Sequence, residues 1–404
     1  MSRIRTLVFL AIFCSTPAAA QAVWTVHGPA PGGIGNIQNT VDAASDGDLI
    51  LIAGGSYFGF TIDDKELTVA ALHPMDLLNP PVVGFSPIQI ENLARGKTVL
   101  IKGVHTAGLF DNGTHLVLQG NAGSVWVEGC RFRAGCCGPS LVKESDSFVA
   151  VDCTVFAAPT VDNAQGYAAF SIEDSNAALF NFDATGGLGD SGFGFANSGG
   201  GPGLIAERSF VFAEGSTFTG GKAATTSIFG ICWPTSDGGD ALVIDDLTSR
   251  LVLTNCIFNP GLGSTPYTSQ STMEACPGGA TGLDVRGRAG IFELASKRVP
   301  ELSASFVDES GMLALLLVGN EGEVPVVRVS KNPGGLFLPD HLGDGGMTSP
   351  TMEFLVQPLP FSGQAVHAVF VPDVSLGEAL YVQAQFHSES NTRTSTPRAV
   401  IKHP

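Results

Sequence analysis

From Pro139 to Phe258 the apolar and polar positions recur in one order. A short apolar strand leads to an acidic residue, a few polar residues, a second apolar strand and a polar turn. Four segments carry it: SLVKESDSFVAVDCTVF (140–156), AFSIEDSNAALFNFDAT (169–185), GLIAERSFVFAEGSTF (203–218) and ALVIDDLTSRLVLTNCIF (241–258). Alternation along each strand turns every second side chain inward. A strand-only unit repeated every few tens of residues predicts a solenoid, because each rung can bury its apolar face only against its neighbours. Segments at 98–102, 115–119 and 124–132 extend the series toward the N-terminus.

Further back, Ile34, Ile37, Val41 and Ala44 fall on one helical face. Ser45-Asp46-Gly47-Asp48 predicts the end of that helix, and strands follow at 49–53 and 60–70. The order IQxxVDAASDGDxIxIAGGSY, then TIxxKxLTV, resembles the N-terminal cap and first rungs of secreted right-handed parallel β-helix proteins of the pectate-lyase-like fold. The resemblance is specific over residues 34–70 and looser as far as about residue 290. It implies an all-β, right-handed parallel β-helix whose open end is plugged by a short helix.

Around Phe292 the period stops. Segments at 312–319, 324–330, 352–356, 365–371, 379–386 and 399–401 have hairpin spacing and Pro, Gly and Asn turns. They predict a small antiparallel β-sandwich. The expected organisation is a signal peptide at 1–22, a β-helix domain at 23–292 and a β-sandwich domain at 293–404. The sandwich resembles modules that follow repeats in other secreted bacterial proteins, where they serve for attachment or as a terminal cap.

Composition sharpens this in three places. Arg3 and Arg5, the apolar run Leu7 to Phe13 and the small residues Ala18 to Ala20 are the parts of a signal peptide, too short to span a bilayer. The expected location is therefore secreted, periplasmic or at the cell surface. The 51 glycines suit a chain of many tight turns. The formal net charge of −17 argues against a nucleic-acid partner, since that binding is driven by basic patches.

Aligning the four segments on Leu141, Phe170, Leu204 and Leu242 places Glu144, Glu173, Glu207 and Asp245 in one column and Ser145, Asp174, Arg208 and Asp246 in the next. Neighbouring rungs lie ~4.8 Å apart, so stacked carboxylates repel unless a cation, a raised pKa or solvent intervenes. The column reads as a calcium site, as a carboxylate pair for glycoside hydrolysis, or as a solvated polar edge in which Arg208 relieves the repulsion. The polar edge is preferred, because the turn of any rung tends to be polar.

Of 8 cysteines, Cys14 falls in the signal peptide. Cys130, Cys153 and Cys256 occupy the repeated turn position and are expected to point inward as small hydrophobes. Cys232 and Cys276 lie in long Gly-rich segments and are expected to form a disulfide. Adjacent Cys136 and Cys137 leave open whether one pairs with Cys130 or Cys153. The spacing holds no zinc motif. Paired Asp followed by Gly-His-Gly and Arg-x-Lys, as in hydrolases of this fold, is missing. The expected function is non-enzymatic association with a surface, a matrix or carbohydrate, with no cofactor. The alternative is a divergent polysaccharide lyase or glycoside hydrolase.

Overall fold

The computed structural model describes residues 21–402 apart from 29–33, 73–80, 107–114, 134–137, 158–165, 190–198, 224–226, 229–230, 233–236, 247, 264–266, 269–274, 277–280, 284, 288–289, 295–300, 307–311, 319–322, 332–351, 357–358, 360–363, 372–373, 375–377, 389–390 and 395–396. No helix among them is long and apolar enough to cross a membrane.

The first part is a parallel β-helix with three flanks. Sheet 1 holds ten parallel strands in rung order, from Val23–Val26 to Gly290–Leu294. A 14-stranded sheet folds over at the long strand Pro81–Glu91, giving the other two flanks. The first half of that strand pairs with His105–Thr106 and its second half with Leu116–Gln119. Sheet 2 continues through Arg131–Arg133, Thr154–Phe156, Asp183–Thr185, Thr217–Thr219 and Ile257–Asn259. Sheet 3 continues through Ser140–Lys143, Phe170–Glu173, Leu204–Glu207, Leu242–Ile244 and Val285–Gly287. Each rung runs from sheet 3 through sheet 1 to sheet 2. Inward side chains such as Phe132, Phe148, Phe170, Phe182 and Phe218 fill one continuous core.

The helix plug is present but shorter than the pattern suggested. It spans Gln38–Ala43, and Ile37, Val41 and Ala44 enter the core while Ile34 stays 40% exposed. Lys65 Nζ donates to the carbonyls of Val41, Asp42 and Ala44, so one cation satisfies the helix end that backbone leaves open. Asp48 ties the turn that follows. It accepts from the Ala22 and Ser45 amides and from Trp24 Nε1. Burial works against its charge, but these donors win and its pKa is lowered.

The second part is a β-sandwich of two antiparallel sheets. Glu301–Phe306, Met312–Val318 and Gln364–Phe370 form one; Val324–Ser330, Met352–Leu355, Ala379–Ser388, Asn391–Thr394 and Arg398–Ile401 form the other. Leu313, Leu315, Val327, Val382 and Phe386 are among its core. Along Ala379–Ser388, Leu380, Val382, Ala384 and Phe386 face this core, whereas Tyr381 faces the β-helix.

The sandwich lies along the outside of sheet 1. Tyr381, Ala399 and Ile401 pack on Leu49, Leu51, Leu100, Trp126 and Phe180, with the Trp126 and Tyr381 rings 4.7 Å apart. Glu128, under this contact, accepts from the Ala399 amide at 2.7 Å and pairs with Lys102 at 2.8 Å. Lys102 also donates to the Ala399 carbonyl, and Arg398 pairs with Asp152. Sheet 1 is thus apolar on both faces, while the outer face of sheet 2 is mostly polar and that of sheet 3 carries Val117, Leu141, Ile205 and Val243 beside its charged residues.

Candidate functional site

Two edges of the prism collect the chemistry. The first joins sheet 3 to sheet 1 and contains the acidic residues. Here each rung turns on one residue of positive φ: Asn92 (57°), Glu144 (50°), Asp174 (48°) and Arg208 (47°). After Glu144, Asp174 and Arg208 the next residue is a serine that points inward and forms a polar ladder. The Ser145 amide donates to Ser175 Oγ, the Ser175 amide to Ser209 Oγ and the Ser209 amide to Ser249 Oγ, at 3.0 to 3.2 Å. Ser175 and Ser209 return their own hydrogens to the carbonyls of Glu173 and Glu207 at 2.6 Å. Asn121 closes the ladder below, accepting from the Leu93 amide and donating to the Ile90 carbonyl. The ladder thus pairs the buried amides of Leu93, Ser145, Ser175 and Ser209 at these turns.

The expected column is corrected in its first rung. Ser140, not Leu141, is in register with Phe170 and Leu204, so Lys143 stands beside Glu173 and Glu207. Glu144 moves to the turn position shared with Asp174 and Arg208, and Ser145 moves into the ladder. Leu141 is the first large apolar residue of its rung, but it faces outward; the inward places go to Ser140 and Val142, both 0% exposed. A slip of one residue reverses every side chain in a strand.

Two cations pair with part of the negative charge at this edge. Arg208 grips Asp174 through both carboxylate oxygens, at 2.7 and 2.8 Å, and also meets Glu207. This contact holds the Asp174 carboxyl below its usual range. Glu173 lies 3.6 Å from Lys143. Asp246 accepts from the amides of Arg208, Thr248 and Ser249 and from the Thr248 hydroxyl. Despite some desolvation, these four donors bring its pKa down to about 2. Asp245 and Glu144 stay exposed. Among the described residues no group of three His, Cys, Asp or Glu is arranged to hold a metal ion.

The edge joining sheet 1 to sheet 2 has the same design with different atoms. Cys130, Cys153, Ser216 and Cys256 occupy the position after the turn, and each donates to the carbonyl two residues back. Cys130 and Cys153 are buried, and burial keeps the Cys153 thiol protonated. Cysteine here is a weak donor standing in for serine.

The remaining edge joins sheet 2 to the next rung of sheet 3, and the long segments that follow Thr154–Phe156, Asp183–Thr185, Thr217–Thr219 and Ile257–Asn259 leave from it. The long Gly-rich segments are, at their bases, a laced backbone seam. Gly187 donates to the Tyr167 carbonyl, Gly201 to Gly187, Gly221 to Gly201, Gly239 to Gly221, Gly261 to Gly239 and Gly282 to Gly261, at 2.7 to 2.9 Å. Chains leaving one rung alternate with chains entering the next. The approach is so close that a Cβ on Gly239 would sit 2.0 Å from the Gly201 carbonyl oxygen, and one on Gly221 would sit 1.9 Å from that of Gly187. Beyond the seam, Ser227–Ile228 pairs with Ile231–Cys232 and Tyr267–Thr268 with Ala275–Cys276. The side chains of Cys232 and Cys276, and all of Cys136 and Cys137, lie outside the described residues.

Beside this seam runs the outer face of sheet 2, which none of the described residues covers. One column holds His105, Arg131, Thr154, Asp183, Thr217 and Ile257; the next holds Arg133, Phe156, Thr185, Thr219 and Asn259. The Arg131 guanidinium lies 5.0 Å from the Phe156 ring centroid. Burial, and then the nearby Arg131, lower the His105 pKa, so its ring is neutral at pH 7. Sequence reasoning passed over this strip because short strands of two or three residues carry little periodic signal.

No family model and no curated protein matches the chain. Among solved structures it is similar to the tailspike protein gp49 of Acinetobacter baumannii bacteriophage Fri1, described as a capsular polysaccharide depolymerase. The two are 10% identical, over 94% of this chain and 83% of that chain, with a TM-score of 0.21. A likeness that slight carries no argument about activity.

Proposed function

We propose that this is a secreted, non-enzymatic β-helix protein that associates with carbohydrate at a cell surface or in a matrix. One observation carries the reading: successive long segments leave the solenoid along a single glycine-laced edge, directly beside a polar flank that nothing described covers. Insertions on one face of a stacked repeat build its binding surface. The opposite flank is spent on the sandwich.

The acidic edge supports the non-enzymatic side of the reading. Glycoside hydrolysis needs one carboxyl held protonated beside one held ionised. Asp174 and Asp246 are both pushed down, by Arg208 and by backbone donors respectively. Burial raises Glu214 to about 7 and also raises Glu66, but Glu214 belongs to sheet 1 and Glu66 lies near Tyr381 of the sandwich, away from Asp174 and Asp246. The test is a screen of the mature protein against acidic and neutral polysaccharides, with and without calcium, read for retention and for new reducing or unsaturated ends. Retention without new ends is expected. New ends would mark a lyase or hydrolase and overturn the reading.

A further inference from the structure

Arg131 and Arg133 stand apart in an acidic chain. Elsewhere its cations are mostly engaged: Lys97, Lys102, Lys143, Arg208, Arg286 and Arg398 each lie within reach of a carboxylate. Arg131 and Arg133 are both exposed, and among the described residues neither has an ion pair. They project from one strand to the same side, with Cα atoms about 6.6 Å apart.

Their surroundings fix them in place. The strand Arg131–Arg133 is paired on both sides, to His105–Thr106 and to Thr154–Phe156. Beneath it Phe132 is 0% exposed in the core, so the backbone cannot roll. The Arg133 amide is held by Thr106 Oγ1 at 2.9 Å. Contact with Phe156 orients the Arg131 guanidinium at little cost to its hydrogen-bonding edge. From His105 to Ile257 the strip spans six rungs, about 24 Å, and presents the hydroxyls of Thr154, Thr185, Thr217 and Thr219 at strand spacing. That is a track lined by hydroxyls and by Asp183, with two guanidinium forks at one end that pair with no described carboxylate.

We propose that Arg131 and Arg133 form an anion subsite on this track, taking the carboxylates or sulfate esters of an acidic polysaccharide. The inference rests on the carbohydrate-association reading and names the charge class of its ligand. A guanidinium matches a planar carboxylate with two parallel hydrogen bonds and a sulfate nearly as well, which a lysine at the same place would not do. The two acid types are separable by experiment. The protein's overall negative charge opposes a polyanion, so binding depends on these two side chains.

The test is affinity electrophoresis of the mature protein in gels containing alginate, carboxyl-reduced alginate, dextran sulfate or dextran. Retardation is expected with alginate or dextran sulfate and not with their uncharged counterparts; which of the two retards identifies carboxylate or sulfate. The double variant Arg131→Gln with Arg133→Gln is expected to bind about tenfold more weakly or less, while melting at the same temperature. Arg95→Gln with Arg250→Gln removes the same charge from exposed positions elsewhere and is expected to bind as the unsubstituted protein does. Equal retardation of the first double variant and the unsubstituted protein overturns the subsite. Retardation by the uncharged polymers alone overturns it too, yet leaves carbohydrate association standing. Retardation by no polymer defeats both.

Discussion

At the serine edge a rung turns within one residue; at the glycine edge it departs on a long excursion and comes back. Both must satisfy the backbone groups that turning leaves open. The serine edge uses side chains, each hydroxyl accepting an amide from one rung and donating to a carbonyl of its own. The glycine edge uses backbone alone, in chains packed too closely for a Cβ. The two therefore differ in what they tolerate. Asn92, Glu144, Asp174 and Arg208 all stand at equivalent turns of the serine edge. The glycine seam admits no such variety, although the segments beyond it differ in length from rung to rung.

The sharpest way to break this comparison is a methyl group. Gly239→Ala would bring a Cβ to 2.0 Å from a carbonyl oxygen of the neighbouring chain. A loss of about 3 kcal/mol or more is expected in urea unfolding; a loss under about 1 kcal/mol would show that the seam parts easily. Sheet 1 supplies a control belonging to neither edge. Burial raises the Glu214 pKa from 4.5 to about 7. The folded state therefore keeps a proton that the unfolded state releases, and stability falls as pH rises from about 4.5 to about 7. At pH 8 the cost is roughly 3 kcal/mol. Glu214→Gln should raise the melting temperature at pH 8 and leave it nearly unchanged at pH 4; an equal shift at both would remove the pH argument.

Smaller effects belong to the serine edge. Ser209→Ala takes away the acceptor of the Ser175 amide and the donor to the Glu207 carbonyl. A loss of about 1–2 kcal/mol is expected, because a buried amide is left unpaired. An unchanged denaturation midpoint would mean that the ladder is decorative. Glu144→Asn should gain about 0.5 kcal/mol, since asparagine accepts the positive φ that glutamate bears at a cost. A decrease would give the Glu144 side chain a role its exposure does not reveal.

Much of the architecture was legible because burial writes itself into alternation. Phe170 and Ile172, or Leu242 and Ile244, mark the inward places without ambiguity. The same rule failed at Leu141, where the inward places hold Ser140 and Val142 and the outward one holds the leucine. It also could not show that sheet 1 is covered on its outer face. Trp126 and Phe180 sit on that face in strands apolar on both sides, and such strands look alike whatever packs on them. The glycines announced turns but not partners, because a hydrogen bond between backbones leaves no side-chain signature. The acidic residues were visible, but which of them meet Lys143 and Arg208 depended on register.

The sandwich contact bears on the order in which the molecule can be finished. Arg398 with Asp152, Ala399 with Glu128 and Lys102 with Ala399 join residues 246, 271 and 297 positions apart. Rungs can stack as the chain emerges, since each needs only its predecessor. The greasy outer stripe around Leu49, Trp126 and Phe180 stays bare until the strand Arg398–Ile401 arrives. A chain cut after its final rung would retain every step of the stack and still expose the surface that drives clumping. In this protein completion, rather than initiation, is the hazardous moment of assembly.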